Sequence, residues 1–315
     1  MAGVGVVIYP APAALILMSL NSFIQRLNPK SGAASSKGIS IAPPVLVTPV
    51  RFPYGPFRFH SQLPKGLAYE VQASTDLKNW IPLFEDTSPG EVECTDSNAA
   101  KFSYRFYRMN VEGTISANVV GYATVTLPPG FSMIANPLEA KDSSVAELFK
   151  AMPEGTTFSK FDPQSSRLNE NTFAQGKWTN PWEKLVPGEG AIIFNPTSDY
   201  KSLNFAGNVR LGSFSIPIPV GFSMRSSPVP LPGRLQADLH FPVAEGDVIH
   251  LFDRDQQKYV LHPADAPEWN SSPPVVGVGE SFWVAKQSAK NWIGNVLATE
   301  QPLKTGLPGG APSPA

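Results

Sequence analysis

Charge is scarce in this sequence. Asp, Glu, Lys and Arg together make up 16% of the 315 residues, and the formal net charge is -1. A protein that binds the phosphate backbone of a nucleic acid carries a basic surface, and this composition gives no sign of one. We therefore expect no nucleic-acid partner.

Cysteine and histidine are also rare. The single cysteine, Cys94, excludes a disulfide within one chain and a zinc site built on cysteine ligands. We expect Cys94 to be a small buried residue on a strand. The four histidines, His60, His240, His250 and His262, lack the spacing of paired metal ligands and are expected at the surface or lightly buried. No metal and no cofactor is predicted.

No catalytic motif is complete. Ser132 and Ser223 lie in two GFSM segments, which lack the closing glycine of a nucleophile elbow. The segment GVGES at 277–281 lacks the third glycine of a dinucleotide-binding loop. The sequence therefore predicts no catalytic residue.

Proline and glycine are abundant, at 33 and 25 residues, and they fall between short apolar runs. This pattern favours many short strands joined by turns. Between Phe57 and Met109 the runs alternate apolar and polar residues, and we predict a small antiparallel β-sandwich over residues 45–113. One predicted strand face consists of Leu67, Tyr69, Val71 and Ala73.

The rest of the chain repeats itself. Residues 121–189 realign on residues 212–280 at a constant offset of 91 positions, without a gap. The matches are mostly Gly, Pro and large apolar residues, which indicates a folding template rather than a site. We predict two homologous β-rich repeats, at 114–210 and 211–297. Their opening strands keep one apolar face, formed by Ala123, Val125 and Leu127 in the first and by Phe214, Ile216 and Ile218 in the second.

The two repeats are expected to differ after their second strand. In the first, Ser144 and Glu147 have the spacing of a capping box, and apolar residues follow at helical spacing as far as Met152. A short helix ended by Pro153 is predicted there. The second repeat should have a shorter or looser turn. The closing segments NFAGNV (204–209) and NWIGNV (291–296) match at an offset of 87, which implies a deletion in the preceding loop.

The ends of the chain have a different composition. Residues 4–20 are almost wholly apolar, but no Lys or Arg precedes them, and two prolines interrupt the run. We expect an atypical export signal or membrane anchor; an apolar leader without such a role is the alternative. Residues 1–44 are predicted to be leader and disordered linker, and residues 298–315 a disordered tail.

Carboxylates recur in both repeats. Asp162 and Glu189 correspond to Asp253 and Glu280. A carboxylate pair could serve as acid and base, but a dyad duplicated in both repeats is unusual. We favour the interpretation that these side chains accept hydrogen bonds from turn amides.

Three tryptophans are the candidate ligand-binding residues. Trp178 and Trp269 correspond under the offset, and a repeated tryptophan usually fills a core. Trp182, in the segment KWTNPW, has no counterpart and is the better candidate for an exposed ring that stacks on a sugar.

The repeat resembles a module found in large exported bacterial proteins, in which a strand leads into GFSxIxxP, a short helix follows, and a tryptophan precedes PGxG. The residues that carry this resemblance are Gly130 to Pro137, Trp178 and Pro187 to Gly190, with Gly221 to Pro228, Trp269 and Gly279 to Trp283 in the second copy. The segments YEVQASTDLKNW and RFYRM similarly resemble a small fibronectin-type sandwich. The resemblance implies an extracellular or cell-surface β-module without characterised chemistry.

These observations predict a non-enzymatic, exported or surface-associated structural or interaction protein. A carbohydrate-binding accessory protein is one alternative, and a glycan-acting enzyme with a site between modules is another. A polysaccharide or another surface protein is the expected partner. A membrane would be contacted only through the N-terminal apolar segment.

Overall fold

The computed structural model describes residues 41–297. The predicted apolar leader and the predicted tail lie outside the described residues. Within them the chain is mainly β, with antiparallel sheets and two short α-helices. The predicted fold class is confirmed.

The strands of the first part are β1 (Leu46–Arg51), β2 (Phe57–Gln62), β3 (Ala68–Ser74), β4 (Ile81–Thr87), β5 (Glu91–Asp96), β6 (Tyr104–Val111) and β7 (Thr114–Ile115). Next come β8 (Val120–Leu127), β9 (Gly130–Ile134), helix α1 (Val145–Leu148), β10 (Thr157–Asp162), β11 (Arg167–Ala174), β12 (Lys177–Trp178), β13 (Ala191–Asn195) and β14 (Lys201–Asn208). The last part contains β15 (Gly212–Ile218), β16 (Gly221–Ser226), β17 (Gly233–Arg234), β18 (Val248–Asp253), β19 (Lys258–Pro263), helix α2 (Glu268–Ser271), β20 (Val275–Val276), β21 (Ser281–Lys286) and β22 (Lys290–Val296).

A sandwich forms the first part, with sheet β1-β2-β5 packed on sheet β14-β8-β6-β3-β4. Aromatic rings from both sheets meet in its core, where Phe57 stacks on Tyr107 with ring centroids 4.8 Å apart. Cys94 is buried on β5 as expected, and burial raises the pKa of its thiol to about 12. Because β8 and β14 belong to the larger sheet, the sandwich and the following module share one hydrogen-bonded sheet.

Two modules follow, and they share one strand arrangement. The sheet of module 1 has the order β11-β10-β13-β9, with β12 at its edge, and that of module 2 has the order β19-β18-β21-β16. The pairing register is the same under the offset of 91: Ser159 lies opposite Ile192, and His250 lies opposite Trp283. Side chains at corresponding positions therefore point to the same face in both modules.

A strand pair covers the inner face of each sheet, β8 with β14 in module 1 and β15 with β22 in module 2.

The alignment of the closing strands β14 and β22 made from the sequence was wrong by two residues. Leu127 pairs with Lys201, and the corresponding Ile218 pairs with Lys290, an offset of 89 rather than 87. A slip of two residues preserves which side chains face the core, so the motif match concealed it.

Helix α1 is one turn long, shorter than predicted. Ser144 caps it by accepting a hydrogen bond from the Glu147 backbone N–H at 3.4 Å. In a capping box the Glu147 side chain would accept a hydrogen bond from the Ser144 N–H. Here Asp142 accepts from the Ser144 N–H instead, and Glu147 pairs with Lys150. The looser second-repeat turn is confirmed, since residues 235–239 form turns.

Helix α2 was not predicted. It begins after Pro267, whose φ of -54° suits a helix start, and it lies where module 1 has β12.

Candidate functional site

The two modules contact each other reciprocally. The Ala135 N–H donates to the Gly279 carbonyl at 2.9 Å, and the corresponding Ser226 N–H donates to the Gly188 carbonyl at 3.2 Å. Each residue of one contact lies 91 positions from its counterpart in the other. Such exchange is characteristic of two subunits related by a two-fold axis, here realised within one chain.

Glycines allow this close approach. Gly188 and Gly279 have φ values of +95° and +78°, which side chains rarely adopt. A Cβ on Gly188 would come within 2.8 Å of the Ile216 side chain, and one on Gly279 would overlap the corresponding Val125. The glycines of the PGEG and VGES segments are therefore required by the contact between modules.

One position breaks the symmetry. Gly190 corresponds to Ser281, and a Cβ on Gly190 would lie 2.7 Å from the Cβ of Ser281. The two copies of this position meet, so a side chain in one copy requires glycine in the other. This explains why serine replaces the second glycine of the motif in only one repeat.

Two cavities lie where the hairpin of one module covers the outer face of the other module's sheet. The aromatic cavity, of about 630 Å³, is lined by Phe161, Pro163, Ser166, Pro219, Val220, Gly221, Phe222, His250, Tyr259 and Trp283. The counterpart cavity, of about 340 Å³, is lined by Phe131, Ser132, Met133, Thr157, Ser159, Leu168, Glu170, Ile192, Phe252 and Tyr259. Both volumes lie in or near the range of roughly 300–1,000 Å³ that is typical of small-molecule sites.

The two cavities differ in chemistry although their backbones correspond. Trp283, Tyr259 and His250 in the aromatic cavity stand where the counterpart cavity has Ile192, Leu168 and Ser159. One copy of the template has therefore acquired two aromatic rings and an imidazole on the same face.

Ring contacts organise the aromatic cavity. Phe161 of module 1 meets Trp283 with centroids 4.9 Å apart and planes at 76°, and Phe222 meets Trp283 at 82°. The Trp283 indole N–H donates to the Tyr259 hydroxyl at 3.3 Å, and Tyr259 also lies edge-on to His250. Rings that meet at these steep angles touch edge to face, so more of each ring face stays exposed than in a parallel stack. Phe222 and Tyr259 are accordingly 54% and 42% exposed.

The lining of the aromatic cavity is electrically neutral. It contains no Asp, Glu, Lys or Arg among the residues that the structure describes. Burial lowers the pKa of His250 below its usual value near 6.5, so its imidazole is uncharged at neutral pH. A neutral imidazole both donates and accepts hydrogen bonds.

This burial predicts a pH dependence of stability. Burial lowers the pKa of both His250 and His262. Below about pH 6.5 these two histidines bind protons more readily in the unfolded chain than in the folded one. The free energy of unfolding should therefore fall as the pH drops below about 6.5. Urea titrations at pH 7.5, 6.5 and 5.5 measure this. The His250→Ser variant, which carries the residue of module 1, should show a shallower slope; an unchanged slope would contradict the assignment.

The tryptophans chosen from the sequence lie elsewhere. Trp178 and Trp269 are 4% and 7% exposed and pack in the cores of modules 1 and 2, which favours the core interpretation over ligand binding. Their indole N–H groups donate to Phe149 and Gln236. Trp182 is 79% exposed but is not part of either cavity lining. The structure therefore does not bring the three together.

The repeated aspartates cap turns, as expected. Asp162 accepts from the Gln164 N–H and the Ser165 hydroxyl, and hydrogen bonds from these two lower the pKa of its carboxyl. Asp253 similarly accepts from the backbone N–H groups of Asp255 and Gln256, at 3.0 and 2.9 Å.

The repeated glutamates bond to a cation and to a turn amide within their own modules. Glu189 accepts from Lys160 at 2.9 Å and from a backbone N–H of its own turn, and Glu280 accepts from Arg254 and from the Gly277 N–H. A third cavity, of about 260 Å³, contains Asp253 and Glu280, both from module 2. None of these three cavities, all within residues 41–297, combines carboxylates from both modules.

No cluster of His, Cys, Asp and Glu suited to a metal ion occurs within the part of the chain that the structure describes. Neither helix between residues 41 and 297 has the length and apolar character needed to cross a membrane. Comparison with known proteins found no family model and no curated protein that matches this chain.

Sequence reasoning missed the aromatic cavity because its residues come from segments that are separate in the chain. One signal was present. At the offset of 91, Trp283, Tyr259 and His250 replace Ile192, Leu168 and Ser159, and these three positions are among the many at which the repeats differ.

Proposed function

We propose that this protein is a non-enzymatic structural or interaction protein, exported or associated with a cell surface. The observation that carries this proposal is the use of the repeated carboxylates. Asp162, Asp253, Glu189 and Glu280 all bond to turn amides, hydroxyls or cations within their own modules. Hydrogen bonds of this kind stabilise the turns in which they form, which supports a structural role for the repeated carboxylates.

Duplication of one module supports the same proposal. The shared register under an offset of 91 is what a duplicated gene segment would produce. The GFSxIxxP and PGxG motifs resemble modules of exported bacterial proteins, and the first sandwich resembles a fibronectin-type domain. Both resemblances favour an extracellular scaffold, in which repeated β-modules present surfaces to a partner.

Carbohydrate binding is the second candidate function, and the aromatic cavity favours it. Aromatic side chains combine a large apolar face with, in Tyr and Trp, a polar group at the edge, which suits the alternating apolar and hydroxyl surfaces of a sugar. A neutral lining also suits an uncharged glycan.

A panel of insoluble and soluble polysaccharides separates the candidate functions. Co-sedimentation without release of reducing sugar supports a binding protein. Release of product would overturn the non-enzymatic proposal and support a glycan-acting enzyme. Absence of both leaves the structural role and argues against carbohydrate as the partner.

Trp182 provides a test of the candidate chosen from the sequence. Because its side chain is 79% exposed, the Trp182→Ala variant should keep a melting temperature within a few degrees of the parent. If Trp182 holds a sugar, co-sedimentation with the polysaccharide that binds the parent should weaken. Unchanged co-sedimentation would remove Trp182 from the candidate site, and a large loss of stability would show that its ring packs against the protein.

A further inference from the structure

We propose that the aromatic cavity binds a pyranose ring of a neutral glycan, with Trp283, Tyr259 and Phe161 as its walls. This inference rests on the carbohydrate-binding candidate function and assigns its site. It places the ligand between the modules, away from Trp182.

The difference between the two cavities is the first argument. The same fold and register tolerate Ile192, Leu168 and Ser159 in module 1, so packing alone does not require the larger residues at these positions in module 2. Their presence in one copy therefore has another cause. Ligand binding is one, since exposed aromatic residues grouped in a concave surface are typical of a binding site.

Exposure is the second argument. Phe222 and Tyr259 remain 54% and 42% exposed, whereas the aromatic residues of the module cores are buried. A large apolar side chain left open to water on a concave face is not stabilising the fold by its burial. These rings are available to a ligand.

The chemistry of the lining selects the class of ligand. A charged ligand would need a counter-charge, and no charged side chain is found among the lining residues. A lipid chain binds best to a continuous apolar wall. The wall of this cavity is interrupted by polar residues, namely Ser166, His250 and Tyr259. A neutral ring with apolar faces and hydroxyl edges matches both the rings and the hydrogen-bonding groups.

The cavity also depends on both modules. Phe161, Pro163 and Ser166 come from the β10–β11 hairpin of module 1, and the remaining lining comes from module 2. Phe161 contacts Trp283 directly across the boundary. The contact between modules thus positions one wall of the site.

Isothermal titration calorimetry with soluble oligosaccharides tests the proposal. The neutral probes are cellohexaose, xylohexaose, mannohexaose and chitohexaose, and hexagalacturonate is the acidic control. We expect saturable binding of at least one neutral probe and none of the acidic one. Trp283→Ile and Tyr259→Leu, which install the residues of module 1, should each weaken that binding about tenfold or more.

Two controls keep the outcomes distinct. Trp182→Ala should bind as the parent does, and circular dichroism with thermal melting should show that the cavity variants fold. His250→Ser, a smaller change on the same face, serves if Trp283→Ile is unstable, and it should also weaken binding.

Three results would overturn the proposal. These are binding of no neutral probe, binding of the acidic probe alone, and neutral binding that survives all three cavity substitutions. If binding instead fails only in Trp182→Ala, the carbohydrate-binding function stands and the assignment to the aromatic cavity falls.

Discussion

Replacing Asp247 with threonine should lower the free energy of unfolding by about 3–5 kcal/mol. Asp247 and Lys286 form an ion pair in which both side chains are essentially inaccessible to water, at 1% and 0% exposure. Asp247 also accepts from the backbone N–H groups of Ala244 and Gln287. Its loss leaves a buried ammonium group that bonds only to the Pro242 carbonyl among the contacts the structure describes.

Module 1 provides the matched control for this prediction. Thr156 and Asn195 occupy the positions of Asp247 and Lys286, and both are buried without charge. Asn195 donates to two carbonyls there. The double variant Asp247→Thr/Lys286→Asn should therefore recover much of the stability that either single variant loses, because it removes both buried charges together.

Guanidinium unfolding of the parent, the two single variants and the double variant measures the coupling energy. If the stability lost by the double variant equals the sum of the stabilities lost by the two single variants, the two residues are not coupled. The buried ion pair would then not be the cause of those losses. Single variants within about 0.5 kcal/mol of the parent would contradict the burial of these charges.

Replacing Gly190 with serine should cost about 1–3 kcal/mol, the usual penalty for overpacking a closely packed contact. The new Cβ would lie 2.7 Å from both the Ser281 Cβ and the Met224 Cγ. Because this contact joins the modules, the variant should also loosen the aromatic cavity and weaken any binding there.

Exchange of the two residues tests this prediction. Ser281→Gly alone should be mild, and Gly190→Ser/Ser281→Gly should be more stable than Gly190→Ser alone, because it restores one side chain at the shared position. Chemical unfolding of the parent, Gly190→Ser, Ser281→Gly and the double variant measures these differences in stability. A double variant no more stable than Gly190→Ser would contradict the reciprocal contact between modules.

Much of the fold could be predicted because its causes are local. Alternation in LAYEVQAS identified β3 and its buried face, and Ser144 identified the start of α1. The repeat predicts strands at 156–161 and 247–252, one residue from the observed β10 and β18, but their hairpin partners β11 and β19 were missed. Those two strands are polar or exposed along much of their length, and a strand without a buried face has little periodicity to detect.

The candidate site could not be predicted in the same way. Trp178 and Trp269 were candidates for ligand binding although their recurrence favoured a core role, and both are buried in module cores. Trp182 was selected because it does not recur, yet it lies outside both cavity linings. Phe161 and Trp283 are more than a hundred positions apart in the chain and meet only because the modules contact each other.

The sequence by itself determined the strands that have a buried face, many of the turns and the equivalence of the two modules, because periodicity, glycine and proline act on neighbouring residues. Only the tertiary structure decided how the modules meet, which glycines that contact requires and which cavity collects the aromatic rings. These features depend on packing between surfaces that lie about ninety residues apart in the chain. The residue pattern of each surface is compatible with more than one partner surface.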